Sequence, residues 1–158
     1  MDSDILIPLK EIFAYTDGSY DDKKDIGAWA SIIFIDNDKV VLQEIVRFST
    51  HQRMELLAVI NSLDFLLKKG YNSNIKIFTD SQYACGLKDR LPKLIQSNFL
   101  TKNNNELVNT DLLKRYLRFL STAQFELIKL KAHQKESNKV NYNREVDKLV
   151  RKLVRVEH

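Results

Sequence analysis

Cysteine is almost missing from this chain of 158 residues, and its single thiol, Cys85, leaves no partner for an internal disulfide and no thiolate set for a structural metal. Glycine (four) and proline (two) are equally scarce, which excludes flexible linkers and low-complexity tracts, and no internal repeat is present. No apolar run approaches the length needed to span a bilayer. The opening M-D-S-D-I-L-I-P-L-K lacks the basic start and long apolar middle of a signal peptide, so an intracellular setting is expected, with no membrane partner. What the chain does have is 44% hydrophobic residues with charge spread throughout, enough for the core of one domain over residues 1–158. With about a dozen residues ahead of the first strand, no separate N-terminal domain is expected; no obligate protein partner is evident, and a monomer is expected. Lysine and arginine exceed the acidic residues by four, with the excess in the C-terminal half, as at Lys148, Arg151, Lys152 and Arg155. That balance is compatible with a polyanionic partner.

Periodicity divides the chain into elements. Ile12–Tyr20 begins as a short strand of β-branched and aromatic residues, with Phe13, Tyr15 and Asp17 on one face, and Gly18-Ser19 reads as the turn that ends it at Asp17. Apolar runs at Ala28–Ile35 and Val40–Phe48, split by D-N-D-K, complete an antiparallel meander, because the connectors are too short for a crossover helix. From Arg53 to Lys69 the period becomes helical: Leu56, Val59, Ile60, Leu63, Leu66 and Leu67 share an arc of about 120°, Glu55 sits at its rim, and Gly70 is the stop. Ile75–Thr79 is a strand closed by Asp80. A right-handed crossover lays it parallel to the first strand, with both C-terminal ends on one edge.

Ser81–Ser97 reads as a helix broken near Leu91-Pro92, and Asn98–Asn109 as a polar loop. Asp111–Leu120 is helical, Phe125–Leu130 is a fifth strand, K-A-H-Q-K-E-S-N is an exposed loop, and Asn141–Val156 is a helix with Asp147 at the rim of its apolar arc. Asp17, Glu55, Asp80 and Asp147 thus each stand at a strand end or a helix rim, and the strand order lets them converge. Four carboxylates in one place repel one another, and cations among them make such a site physically sensible. Oxygen donors without cysteine point to Mg²⁺ or Mn²⁺ rather than zinc. Two such ions about 4 Å apart are the usual machinery for displacement at phosphorus, so phosphodiester hydrolysis is the expected chemistry. Taken locally, T-D-G-S also reads as a turn with an Asx bond, and Asp80 as a helix cap.

The ordered set of segments resembles type 1 ribonuclease H: T-D-G-S around Asp17, R-M-E-L-L-A around Glu55, T-D-S-Q-Y around Asp80, N-T-D-L, K-A-H-Q around His133 and N-R-E-V-D ending at Asp147. They follow the family's order over nearly the whole chain from Phe13 to Leu153. The resemblance implies an α/β fold with a five-stranded mixed sheet, three strands antiparallel and then two parallel, flanked by helices. It implies hydrolysis of the RNA strand of an RNA–DNA hybrid with two Mg²⁺ ions, Mn²⁺ being an alternative, leaving 3′-hydroxyl and 5′-phosphate ends. On it, Asp17, Glu55, Asp80 and Asp147 are metal ligands and His133 assists proton transfer or product departure. Gln52 and Gln82 match contacts in the hybrid's minor groove, where the 2′-hydroxyl distinguishes RNA from DNA. Thr50 and Asn109 match a pocket for a phosphate of the DNA strand.

The sequence also departs from the family. His51 replaces an asparagine, Phe48 stands where an arginine is expected beside Arg47, and the stretch between Asp80 and Asp111 has no tryptophan and only Lys88, Arg90, Lys93 and Lys102 as its basic residues. The expected consequences are altered hybrid recognition at His51, an altered phosphate pocket at Phe48, and a weaker, salt-sensitive hold on the hybrid from the less basic stretch. Two other functions remain open to the residues: the same architecture acting on another nucleic acid, as a junction resolvase or exonuclease does, or a catalytically silent nucleic-acid-binding module.

Overall fold

The computed structural model describes residues 10–130 and 141–156. Its sheet has five strands in the order β3-β2-β1-β4-β5. β1 (Ile12–Asp21) and β2 (Ile26–Ile35) are antiparallel in continuous register from Ile12 opposite Ile35 to Asp21 opposite Ile26, and β3 (Asp38–Arg47) continues the meander at the edge. β4 (Ile75–Thr79) lies parallel to β1, and β5 (Phe125–Lys129) parallel to β4. The expected three antiparallel strands followed by two parallel ones are therefore present. β2 is buried along almost its whole length because helices cover the sheet on both sides, whereas the edge strand β3 alternates towards solvent.

The crossover from β3 to β4 is α1 (His51–Lys68). Its first turn is capped by Thr50, whose hydroxyl accepts from the Arg53 N–H at 3.1 Å. Its end is set by Gly70 at φ +90°, with the Gly70 and Tyr71 amides returning to the Leu67 and Leu66 carbonyls, both at 2.9 Å. The stripe Leu56, Val59, Ile60, Leu63 and Leu66 is fully buried against Ile12, Ala14, Ile33 and Ile77 of the sheet. Each such side chain contributes about 1.5–3 kcal/mol by leaving water, so the stripe fixes the rotation of α1 and hence where Glu55 points. α4 (Thr110–Thr122) joins the same cluster through Leu112, Leu113 and Tyr116. On the other face α5 (Tyr142–Val156) sets Val146, Val150 and Val154 on Ala28, Ala30 and Ile32. Its start is anchored by an aromatic group in which Tyr15 stacks on Phe78 at 4.8 Å and Phe34 meets Tyr142 at 4.5 Å. No described helix is long and apolar enough to cross a membrane.

Two boundaries differ from the sequence reading. β1 does not end at Asp17; it runs on through Gly18 and Ser19 to Asp21, paired with β2 throughout. Gly18 serves packing, not a turn: a Cβ there would overlap the backbone of Met54 and Glu55, so its absence lets α1 come down onto β1. The expected break at Leu91-Pro92 is also elsewhere. α2 (Gln82–Cys85) stops at Gly86, and α3 (Leu87–Gln96) carries Pro92 inside it. Pro92 is exposed while Leu91 and Leu94 beside it are buried, so the carbonyl it leaves without a donor is on the watered side and the packed face holds the helix together.

Candidate metal centre

β1 and β4 pair in parallel only from Ile12 opposite Ile75 to Tyr15 opposite Phe78. Where that ladder stops, the Thr16 hydroxyl donates to the Phe78 carbonyl at 3.3 Å. Two further steps along the same register bring Asp17 level with Asp80, the residue after β4. Asp17 thus keeps β2 on one side but has lost its strand neighbour on the other, and a gap opens at the sheet's edge for its side chain. Glu55 enters from the second turn of α1, which Gly18 allows to sit directly on β1.

Carboxylate oxygens of Asp17, Glu55 and Asp80 all lie within 4.8 Å of one another. Asp17 is 7% exposed and the Glu55 side chain 11%. The Gly18 amide donates to Asp17 Oδ1 at 2.8 Å, a local bond of the Asx kind, made here inside a strand. Asp80 is not a helix cap: the Ser81 hydroxyl accepts from the Ala84 amide at 3.0 Å and fills that role, which leaves the Asp80 carboxylate to the cluster. Burial first and the Asp80 charge second push the Asp17 carboxyl up to about 8, with a side-chain hydrogen bond to Asp147 adding to the rise. The same two leading causes push Glu55 up to about 7. Asp147, on α5, therefore adjoins Asp17, but it stands outside the three that share the 4.8 Å group, and its Oδ1 accepts from Arg151 Nε at 3.1 Å.

The donors are carboxylate oxygens, held close and largely out of water with too little positive charge among them. That set fits a hard divalent cation, which would relieve the repulsion that raises Asp17 and Glu55. The other residues singled out by sequence are distributed as follows. Gln52 and Gln82 are exposed in the first turns of α1 and α2, three residues before Glu55 and two after Asp80. Asn109 is buried, holds φ at +67° ahead of α4, and accepts from Arg53 Nη1 at 3.2 Å. Arg53 also grips Asp111 with both nitrogens, at 2.9 and 2.6 Å, so Thr50, Arg53, Asn109 and Asp111 join the starts of α1 and α4. Sequence reasoning missed Arg53 and Asp111, although both lie in the quoted R-M-E-L-L-A and N-T-D-L segments. His51, noted in the sequence as a departure from the family, has a contact that the sequence did not reveal: its Nε2 is 3.4 Å from Glu55 Oε1 one helical turn on. His133 lies outside the described residues.

Comparison with known proteins agrees with this geometry. The family model described as RNase H matches residues 9–155. A ribonuclease H of Wolbachia pipientis wMel is 31% identical over 146 residues, covering 92% of this chain and 96% of its own length. A ribonuclease HI of Xylella fastidiosa is 31% identical over 144 residues, covering 90% and 91%, and a ribonuclease H of Caldicellulosiruptor saccharolyticus is 28% identical over 149 residues, covering 93% and 98%. Among solved structures, prototype foamy virus protease-reverse transcriptase superposes with a TM-score of 0.73 at 24% identity, over 99% of this chain and 22% of that much longer one, a likeness of fold. The family model and the long, near-complete matches to ribonucleases H agree, and the chain belongs to the RNase H family.

Proposed function

We propose that this protein is an endoribonuclease that hydrolyses the RNA strand of RNA–DNA hybrids, leaving 3′-hydroxyl and 5′-phosphate ends. The observation that carries this reading is the approach of Asp17, Glu55 and Asp80 to within 4.8 Å at the open edge of the sheet, in a chain of the RNase H family. Asp17, Glu55, Asp80 and Asp147 would hold two Mg²⁺ ions, with Mn²⁺ able to substitute. When bound, the ions supply an activated water and stabilisation of the leaving oxygen. The chain's own part is to hold its carboxylates in a fixed array on β1, α1, the end of β4 and α5, so that a backbone phosphate is placed without reorganisation. His133 is assigned to proton transfer or product departure. Gln52 and Gln82 are assigned to minor-groove contacts, and Thr50 and Asn109 to a phosphate of the DNA strand, with Arg53 binding Asn109 in place. The protein acts as one domain over residues 1–158, as a monomer, inside the cell.

The test is cleavage of an end-labelled RNA–DNA hybrid, an RNA duplex, a DNA duplex and a DNA junction, each with Mg²⁺, with Mn²⁺ and with chelator. Metal-dependent cleavage confined to the RNA of the hybrid is expected. Cutting of the junction or DNA duplex instead would transfer the fold to another substrate, and binding of hybrid without metal-dependent cutting would make the protein a silent nucleic-acid-binding module.

A further inference from the structure

Phe48, between β3 and α1, combines two costs that its own fold does not offset. Its φ is +56°, in the left-handed region that bulky residues avoid, and it is 81% exposed. Eight non-glycine residues among those described have positive φ, and six are aspartate or asparagine, which tolerate it. The two bulky exceptions are Phe48 and Phe99. Phe99 is 7% exposed and packs in the main core, so burial of its ring compensates the strain. Phe48 has no such return.

The conformation is nevertheless braced. The Phe48 amide donates to the Asp25 carbonyl at 3.2 Å, the Ser49 amide donates to the Tyr20 hydroxyl at 2.9 Å, and that hydroxyl donates to Asp25 Oδ1 at 2.6 Å. The next side chain carries a cost of its own, since Ser49 Oγ is buried with no hydrogen-bond partner among the described residues. The segment thus fixes an apolar ring in water on a rigid shelf. Three residues on is His51, whose ring meets Glu55 at 3.4 Å, and three residues of chain span at most about 11 Å. The shelf thus leads directly into the first turn of α1, the helix that carries Glu55.

We propose that Phe48 is a substrate contact: its ring packs on an apolar face of a nucleotide, the carbon side of a sugar or a base, of a nucleic acid bound over the carboxylate cluster. This rests on the nucleic-acid reading of the cluster and names a contact within it. A phenyl ring offers neither charge nor donor, so the phosphates are not its targets, and the affinity it adds is independent of salt, unlike that of lysine and arginine contacts.

Phe48→Gly and Phe48→Asn remove the ring and relieve the backbone together. Both variants are expected to melt no lower than the wild type, to raise KM for the labelled hybrid about tenfold, and to keep kcat at saturating hybrid within about twofold. The slope of log(kcat/KM) against log salt stays unchanged, and Phe48→Tyr retains the wild-type KM. An unchanged KM in Phe48→Gly, while the wild type cleaves hybrid, overturns the contact alone. A flattened salt slope overturns its apolar character, and a lowered melting temperature with a lowered kcat makes the residue structural. A wild type that cleaves no hybrid overturns the function itself and is recognised before any variant is compared.

Discussion

Two groups of charged side chains, only two residues apart on α1, have opposite electrostatic fates. At Arg53 the charges balance: the guanidinium grips Asp111 with two nitrogens and Asn109 with one, the Asp111 bond holds Arg53 above its usual range, and the same bond holds Asp111 below the usual carboxylate range. At Glu55 they do not. Three carboxylates share a space 4.8 Å across, burial and Asp80 raise Asp17 to about 8 and Glu55 to about 7, and among the described residues the basic groups seen paired at the margin are His51 at 3.4 Å from Glu55 and an Arg151 already engaged by Asp147. The first junction completes itself and ties α1 to α4. The second has, among the described residues, a deficit of positive charge built into rigid elements, which is what a site for divalent cations requires.

The largest effect expected from breaking this contrast is at the cluster. Asp80→Asn should cut metal-dependent cleavage about a thousandfold, the scale of the charge stabilisation that bound metal supplies, and should raise the metal-free melting temperature near pH 8 by removing a like charge. Single-turnover cleavage and thermal unfolding of the same preparation read both. Gly18→Ala should be next. Its Cβ would overlap the backbone of Met54 and Glu55, so it should destabilise by about 1–3 kcal/mol or more and, by displacing Glu55, lower cleavage about a hundredfold. Chemical denaturation and kcat measure the two losses.

The third effect is on pH dependence, and the two groups have opposite signs. Asp17 and Glu55 are raised from ordinary values of 3.8 and 4.5, so their contribution to metal-free stability is fully present below those values and is lost as pH rises through about 7 to 8. The metal-free protein should melt lower at pH 8.5 than at pH 5.5, and Mg²⁺ should restore it at the higher pH with little effect at the lower. Asp111 is lowered, so its contribution is present above its ordinary 3.8 and is lost as pH falls through that region, whatever the metal. Melting curves across pH with and without Mg²⁺ separate the two. The smallest effect should be Arg53→Ala. The pair is partly exposed, at 31% and 61%, and its loss should cost about 1 kcal/mol, visible in denaturation and absent from metal titrations.

Much of this was legible in the chain because burial leaves periodic traces. Ile75–Thr79 was readable to the residue from its short apolar run, and α5 from the stripe of Val146, Val150 and Val154. The meeting of Asp17 with Asp80 was inferable from a crossover and a parallel ladder, and the register agrees. What escaped depends on contacts that no local pattern records. Asp-Gly reads as a turn, yet Gly18 sits mid-strand because a helix 36 residues further along lies against it. Pro92 reads as a helix end, yet tertiary packing of Leu91 and Leu94 overrides it. The Arg53–Asp111 pair joins residues 58 apart and has no periodic signature. The cluster was readable as four acids, but its division into three close carboxylates and an Asp147 shared with Arg151 required the fold.

Titration calorimetry of Mg²⁺ into the metal-free protein at pH 8, beside the same titration of Asp80→Asn, tests the central claim most directly. Saturable binding by the wild type, with loss or severe weakening in the variant while its fold is intact, is the predicted result. Equal binding by the two proteins, or none by the wild type, would contradict the assignment of the carboxylate cluster as the metal centre.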